Sequence, residues 1–449
     1  MLITNFENLE SELLEVVNEF GVYPKIIVNG EQKANLLVVR VTVDDNDYSY
    51  EYPFEPENYL LEKRLKKRYA KLSLYKSLSA YTGVSLPWGA LTGIRPTKLA
   101  YQQGKSWRSF FTDEMLVSEG KTQIIEEILS VQKPYYPKTD EDVFDLFVSL
   151  PFCPTRCAYC SFMSCEISKE KLINEYIEAL VKEIKSAKAL GKTFRSVYVG
   201  GGTPVSLKFE HFIAVLDAIG KQNIEYTVEA GRPDCITEEK LKLMKDYGVT
   251  RVCVNPQTFS DKTLALIGRK HTAKETIDKY FLTKSYGFDV NMDLIAGLPE
   301  ESVDDFKFSL DKAIELSPEN ITVHTLCLKK GSKLKESFDR LDGAIVPQMV
   351  DYAHSALHSA QYLPYYLYRQ KYMAGNLENT GYAKPKKECV YNIDIMEEIA
   401  SILACGANAV GKRVFSRENR IERLGEPKDI KTYLSKLDKI IEEKNQLFN

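Results

Sequence analysis

At 449 residues, 44% apolar and 27% charged, the chain has a globular composition and is long enough for two or three domains. A formal net charge of −3 gives no global attraction for nucleic acid or an anionic membrane surface. No apolar run approaches the ~18–20 residues that span a bilayer, and the acidic start "MLITNFENLESELLEVV" lacks a signal peptide's basic flank, so a cytoplasmic chain is expected.

Residues 1–140 are expected to form an α+β accessory domain. An amphipathic helix is followed by "KIIVNG", "LLVVRVTVDD" and "YSYEYPF", an antiparallel meander with turns predicted at Asn29-Gly30 and Asp44–Asp47. A basic helix comes next, carrying Lys63, Arg64, Lys66, Lys67 and Arg68, which reads as a solvated face. More helix runs to Gln132. The proline-containing stretch "KPYYPKTDED" is the expected linker.

Residues 141–335 alternate between strand and helix patterns. The strands are "FDLFVSL", "SVYVGG", "EYTVEA", "TRVCVNP", "GFDVNMDLIAG" and "NITVHTLCL". Helical periodicity covers Glu170–Leu190, Phe209–Lys221, Glu238–Tyr247, Thr272–Tyr286 and Ser302–Leu316. Six βα units predict a parallel sheet, open or partly closed, with ligands at the carboxyl ends of its strands. Residues 336–449 are expected to be mainly helical.

Nine cysteines are an odd number, and Cys235, Cys253, Cys327, Cys389 and Cys405 stand singly, as small buried side chains do. Four others crowd into "SLPFCPTRCAYCSFMSC", Ser149 to Cys165. Cys153, Cys157 and Cys160 have the spacing C-x3-C-x2-C directly after the first strand of the βα region. Three thiolates on an iron–sulfur cluster leave one iron open for chemistry. A closed zinc site with Cys165 as fourth ligand, or thiols without metal, are the alternatives on spacing alone.

Further polar positions follow the other strands. "VGGGTP" removes successive Cβ atoms where the chain turns. Glu229 ends the third strand, Gln257 and Arg269 follow the fourth, and Asp293 lies in an apolar strand, where an ionised carboxylate needs partners. His324 lies in the sixth strand.

The cysteine spacing with Tyr159 before the third thiol resembles the signature of radical S-adenosylmethionine (SAM) enzymes. The ordered motifs "PFCPTRCAYC", "GGGTP", "VEA", "NPQTF…GRKH" and "DLIAGLP", from 147 to about 332, resemble the oxygen-independent coproporphyrinogen III oxidase family, in its HemZ-type branch. "LACGANAV" resembles that family's C-terminal segment. The resemblance implies an α/β fold: a partial (β/α)6 radical SAM barrel flanked by the N-terminal α+β domain and a mainly helical C-terminal domain. It implies that Cys153, Cys157 and Cys160 bind a [4Fe–4S] cluster. It implies that Tyr159, Gly201, Gly202, Thr203, Glu229, Gln257, Arg269, Asp293 and Val410 contact SAM, in one or two molecules. No acid or base is assigned to catalysis.

The implied reaction is oxidative decarboxylation of coproporphyrinogen III propionates to vinyls, with an electron donor such as flavodoxin or ferredoxin. The alternatives are a haem-binding chaperone that retains the cluster, with Tyr365, Tyr366, Tyr368, Tyr372 and Tyr382 as porphyrin contacts, or a radical SAM enzyme modifying or degrading haem. The sequence departs from the oxidase pattern at Phe147, at Ser149 in place of a histidine, and at Phe162, where the oxidases carry a further cysteine.

Overall fold

The computed structural model describes all residues except 94, 138–141, 161–164, 167–169, 328–331, 333, 335–344, 371–372, 374–376 and 419, and describes only the backbone at 165 and 166. The described residues divide into two units: Met1–Glu126 with short pieces at Arg369 and Leu377, and the bulk of the chain from Glu127 onward.

The first unit is a four-stranded sheet in the order β1 (Leu2–Thr4), β2 (Ile26–Lys33), β3 (Leu36–Val43) and β4 (Asn46–Pro53). β1 joins β2 in parallel, and the rest is the antiparallel meander expected from the Val-rich alternation. The helix Tyr59–Thr82 supplies Leu72, Leu74, Tyr75 and Leu78 to the core of the unit. Asn58 caps it by accepting from the Leu61 N–H at 2.9 Å, and Gly83 ends it in the left-handed region. Its basic residues find acids within the unit: Lys66 with Glu62, Lys67 with Glu12, Arg68 with Glu114.

The turn expected at Asn29-Gly30 is corrected. Both residues lie inside β2, and the first hairpin turns beyond Lys33, with Ala34 at φ 50°. Gly30 serves close packing instead, because a Cβ there would stand 2.3 Å from the Phe6 ring. The Asn5 side chain accepts from the Gly30 N–H and donates to its carbonyl.

The second unit is built on one mixed sheet. Its parallel strands are β5 (Phe144–Leu150), β8 (Phe194–Gly201), β9 (Glu225–Val228), β10 (Arg251–Cys253), β11 (Asp289–Ala296) and β12 (Asn320–Thr325); the short strands β6 (Phe152–Cys153) and β7 (Cys165–Glu166) pair separately. The helices Glu170–Ala189, Phe209–Ile219, Glu238–Asp246, Ala273–Ser285 and Val303–Leu316 alternate with them as expected. Thr237, Thr272 and Ser302 cap three of these, Ser302 through a reciprocal capping box with Asp305. At the amino ends of the strands, Arg251 bonds Glu225, Asn320 and the carbonyls of Lys387 and Glu388, which closes that end.

The mainly helical tail is also corrected. The C-terminal region contributes β13 (Leu363–Tyr368), β14 (Asn379–Ala383), β15 (Ser401–Cys405), β16 (Val410–Phe415) and β17 (Arg420–Gly425) to the same sheet. The strand order is β13-β14-β12-β11-β10-β9-β8-β5-β15-β16-β17, with β15 parallel to β5 and the outer strands antiparallel. The physical reason lies in "LPYYLY" and "SILAC". Short apolar runs buried on both faces carry no two-residue alternation, so periodicity does not separate them from helix.

The last helix, Leu437–Phe448, is pinned by Lys444, a buried ammonium that pairs with Glu183 and Glu426 and donates to the Ala404 carbonyl at 2.5 Å. No helix among the described residues is long and apolar enough to cross a membrane.

Candidate functional site

The cysteine loop leaves the carboxyl end of β5 and is tied down by backbone bonds. The Ala158 N–H donates to Ile267 O at 2.9 Å, Leu334 donates to Ala158 O at 3.0 Å, and Cys160 donates to Cys157 O at 3.1 Å. Cys153 Sγ lies 3.5 Å from Thr203 Oγ1. Cys157 is buried, with its sulfur 3.9 Å from Arg232 Nη1. Arg156, the cation next to the thiols in sequence, donates instead to the Cys160 carbonyl at 3.5 Å.

Tyr159 packs against the apolar cluster of Leu264, Ile267, Ile295, Leu298, Leu326 and Leu334 and accepts a 2.9 Å hydrogen bond from Arg269 Nη2. Arg269 Nη1 reaches the carbonyls of Gly231 and Asn255 at 3.0 and 3.2 Å. Asn255 Nδ2 in turn donates to Asp293 Oδ2 at 2.6 Å, and Asn291 Nδ2 donates to Asp293 Oδ1 at 2.8 Å. His324 Nε2 stands 3.8 Å from the same carboxylate. One polar chain therefore runs from the cysteine loop to β12.

The three glycines work by close approach. A Cβ at Gly200 would meet Glu229 Oε2 at 2.7 Å, and one at Gly202 would meet the Phe152 carbonyl at 2.5 Å. Gly201 has φ +99°, a left-handed conformation that glycine adopts freely. Glu229 lies over this turn and accepts from Tyr198 Oη at 3.0 Å. Gln257 is a non-glycine residue at φ 69°, held there by its backbone bonds with Asp293 and Ile295. Strain of this kind persists where surrounding structure enforces it.

Electrostatics separates the two carboxylates. Burial and the neighbouring Asp293 charge push Glu229 up to about 7, against the Tyr198 hydrogen bond. Burial also acts to raise Asp293, but hydrogen bonds and charge from His324 outweigh it, with help from Asn291 and Thr322, and hold it below its ordinary value.

The structure brings Cys153, Cys157, Cys160, Tyr159, Gly201, Gly202, Thr203, Glu229, Gln257, Arg269 and Asp293 to the carboxyl ends of β5 and β8–β11. Val410 differs: it opens β16, is 47% exposed, and its backbone faces Gly425. Among the described residues no three His, Cys, Asp or Glu side chains are closed around one metal-sized point. The donor set nevertheless suits the expected groups. Three soft sulfurs share one short loop, and buried Asn255 Oδ1 and Arg269 Nε have no hydrogen-bond partner among the described residues.

Arg232, Asn255, Asn291 and Tyr198 were not foreseen. Arg232 carried one usable signal, its place three residues beyond Glu229. Ser149 does not enter the mouth of the sheet. Its hydroxyl donates to Ala407 O at 2.9 Å, and Tyr176 Oη bridges Ser149 O to the Ala407 N–H, locking the "LACGANAV" segment beside β5. Phe147 stacks with Tyr198 and Tyr391. Tyr365, Tyr366 and Tyr382 are buried core residues, the Tyr366 ring filling the space over Gly381, and Tyr368 stacks on Tyr366. Phe162, Tyr372 and the Cys165 side chain lie outside the described residues.

A family model described as the Radical SAM superfamily matches residues 147–313. The oxygen-independent coproporphyrinogen-III oxidase-like protein HemZ of Bacillus subtilis (strain 168) is 38% identical over 390 residues, covering 82% of this chain and 78% of that protein. Heme chaperone HemW of the same organism is 32% identical over 192 residues, covering 41% of this chain and 50% of that protein; HemW of Haemophilus influenzae is 29% identical, covering 67% and 78%. Among solved structures, coproporphyrinogen III oxidase (HemN) of Escherichia coli shares the fold, with a TM-score of 0.55 and 19% identity over 67% of this chain and 70% of that one. Radical SAM proteins use a [4Fe–4S] cluster and SAM. The chain belongs to the radical SAM superfamily and, within it, to the oxygen-independent coproporphyrinogen III oxidase-like family.

Proposed function

We propose that the chain is a radical SAM enzyme of tetrapyrrole metabolism that converts propionate side chains of coproporphyrinogen III to vinyls. Cys153, Cys157 and Cys160 hold the [4Fe–4S] cluster, and Tyr159, Gly201, Gly202, Thr203, Glu229, Gln257, Arg269 and Asp293 line SAM, while exposed Val410 is not placed with them. The observation that carries the reading is the continuous polar chain from the cysteine loop through Tyr159, Arg269 and Asn255 to Asp293. The substrate class rests on the 38% identity to the HemZ oxidase-like protein.

When bound, the cluster and SAM together supply a 5′-deoxyadenosyl radical able to abstract hydrogen from an unactivated carbon. The chain's own work is positioning and exclusion. Asp293, kept ionised, accepts from donors that would otherwise be unpaired, and it is a ready acceptor for cofactor hydroxyl or ammonium groups. Glu229 sits where the missing Gly200 Cβ leaves room. The rings of Phe147, Tyr198 and Tyr391 stack behind Glu229, which accepts from the Tyr198 hydroxyl. Each propionate would lose a hydrogen atom from its β-carbon, then CO2 and one electron, the electron passing to a one-electron acceptor separate from the donor that reduces the cluster. A small electron carrier, flavodoxin or ferredoxin, supplies the reducing electron.

A second reading, a haem chaperone that keeps the cluster, is favoured by the HemW relatives. One experiment separates the two. The full chain is reconstituted without oxygen and given SAM, reductant and coproporphyrinogen III. Protoporphyrinogen IX, formed with 5′-deoxyadenosine, supports the oxidase. No vinyl product, together with stoichiometric haem binding, rejects it for the chaperone.

A further inference from the structure

We infer that Arg232 is a redox-tuning residue of the cysteine loop: its buried guanidinium, hydrogen-bonded to Cys157, raises the reduction potential of the cluster those cysteines hold. The inference rests on the cluster reading above and concerns a residue 75 positions away from the thiol it meets.

Arg232 Nη1 lies 3.9 Å from Cys157 Sγ and 3.0 Å from Thr155 Oγ1, so the same nitrogen faces two residues of the cysteine loop. The opposite edge of the guanidinium is held by Asp234, with Nε to Oδ1 at 2.9 Å and Nη2 to Oδ2 at 2.8 Å. This two-point grip fixes the plane of the group and therefore the direction in which Nη1 points. Buried His271 lies beside Asp234, its Nδ1 3.8 Å from Oδ1. Arg232 is only 3% exposed, so its charge is weakly screened by water. Arg269, the second buried guanidinium at the loop, is engaged with Tyr159 and two backbone carbonyls, and Arg156 with the Cys160 carbonyl. Arg232 Nη1 addresses the Cys157 sulfur directly.

Hydrogen bonds to sulfur and nearby positive charge both favour the reduced, more negative cluster, and both raise its potential. Cysteine thiolates carry formal negative charge, which this geometry offsets at Cys157. A guanidinium held at one thiolate makes the electron entering the cluster easier to supply.

The test uses the full chain reconstituted without oxygen. The [4Fe–4S] midpoint potential is read by an electron paramagnetic resonance titration, beside iron and sulfide analysis. Arg232→Met is expected to keep the wild-type iron content and show a lower potential, with Arg232→Lys falling between them. An unchanged potential in Arg232→Met at full iron content overturns the inference. Loss of iron from a folded Arg232→Met protein also overturns it, since the residue then holds the loop and does not tune it. If Arg232→Met does not fold, Arg232→Lys decides: a lowered potential supports the inference and the wild-type value overturns it. A wild-type chain that takes up no cluster rejects the cluster reading itself, a result distinct from a cluster of unchanged potential.

Discussion

Gly202→Ala puts the largest demand on the smallest change. The new Cβ would stand 2.5 Å from Phe152 O, 2.8 Å from Leu150 O and 2.8 Å from Phe152 N, all backbone atoms that no rotamer change can move. Relief requires the start of the cysteine loop to retreat by roughly 1 Å, to ordinary contact distance. That retreat strains the Gly202 N–H bond to Leu150 O, at 2.9 Å, and the Thr203 N–H bond to Phe152 O, at 2.7 Å. Overpacking of this kind costs about 1–3 kcal/mol, and weakening two backbone hydrogen bonds adds about 1 kcal/mol each. The expected loss is therefore about 3–5 kcal/mol, together with displacement of Cys153 from Thr203. Thermal unfolding followed by near-ultraviolet circular dichroism reads the first effect, and iron per chain after reconstitution reads the second. Gly425→Ala is the control, because a Cβ there meets nothing within 4 Å. The reasoning fails if Gly202→Ala melts with this control and holds wild-type iron.

Glu229 predicts a pH dependence. Its ordinary value is 4.5 and its folded value about 7, so between these the unfolded chain is ionised while the folded chain keeps its proton. Stability from this group, complete below pH 4.5, is lost as pH rises to 7, on the order of 3 kcal/mol. The melting-temperature advantage of Glu229→Gln over wild type should widen across that window; parallel pH profiles would contradict the assignment. Tyr159→Phe leaves the buried Arg269 Nη2 without its 2.9 Å acceptor and should destabilise by about 1–3 kcal/mol, read by denaturant unfolding; a loss near zero would mean the bond is not made. Lys444→Met strands Glu183 and Glu426 in the core, at about 3–5 kcal/mol. Limited proteolysis should then release the Leu437–Phe448 helix first, and uniform cleavage elsewhere would argue against the anchor.

Much of this architecture is legible in the chain. "FDLFVSL" forms β5 with the expected limits, and the five helices of the βα region fall within a few residues of their periodic patterns. The cysteine loop could be placed at the mouth of the sheet because it directly follows that strand. What escaped reading depends on contacts between distant residues. Arg232 gains meaning only when the turn after β9 folds against Cys157. Asn255 and Asn291 look like ordinary strand-end polar residues until Asp293 lies between them. Gly30 resembles a turn residue until the Phe6 ring is seen above it. The tyrosines of β13 look like surface chemistry in isolation, yet the antiparallel partner β14 places Gly381 under Tyr366 and makes that ring core.

The central claim is that Cys153, Cys157 and Cys160 hold a cluster whose open iron meets SAM. Electron paramagnetic resonance of the reduced, reconstituted full chain, recorded with and without SAM, tests it most directly. The account predicts a [4Fe–4S]+ signal that changes on adding SAM and disappears in a folded Cys153→Ala/Cys157→Ala/Cys160→Ala variant. A signal unaffected by SAM, or one that survives loss of all three thiols, would contradict it.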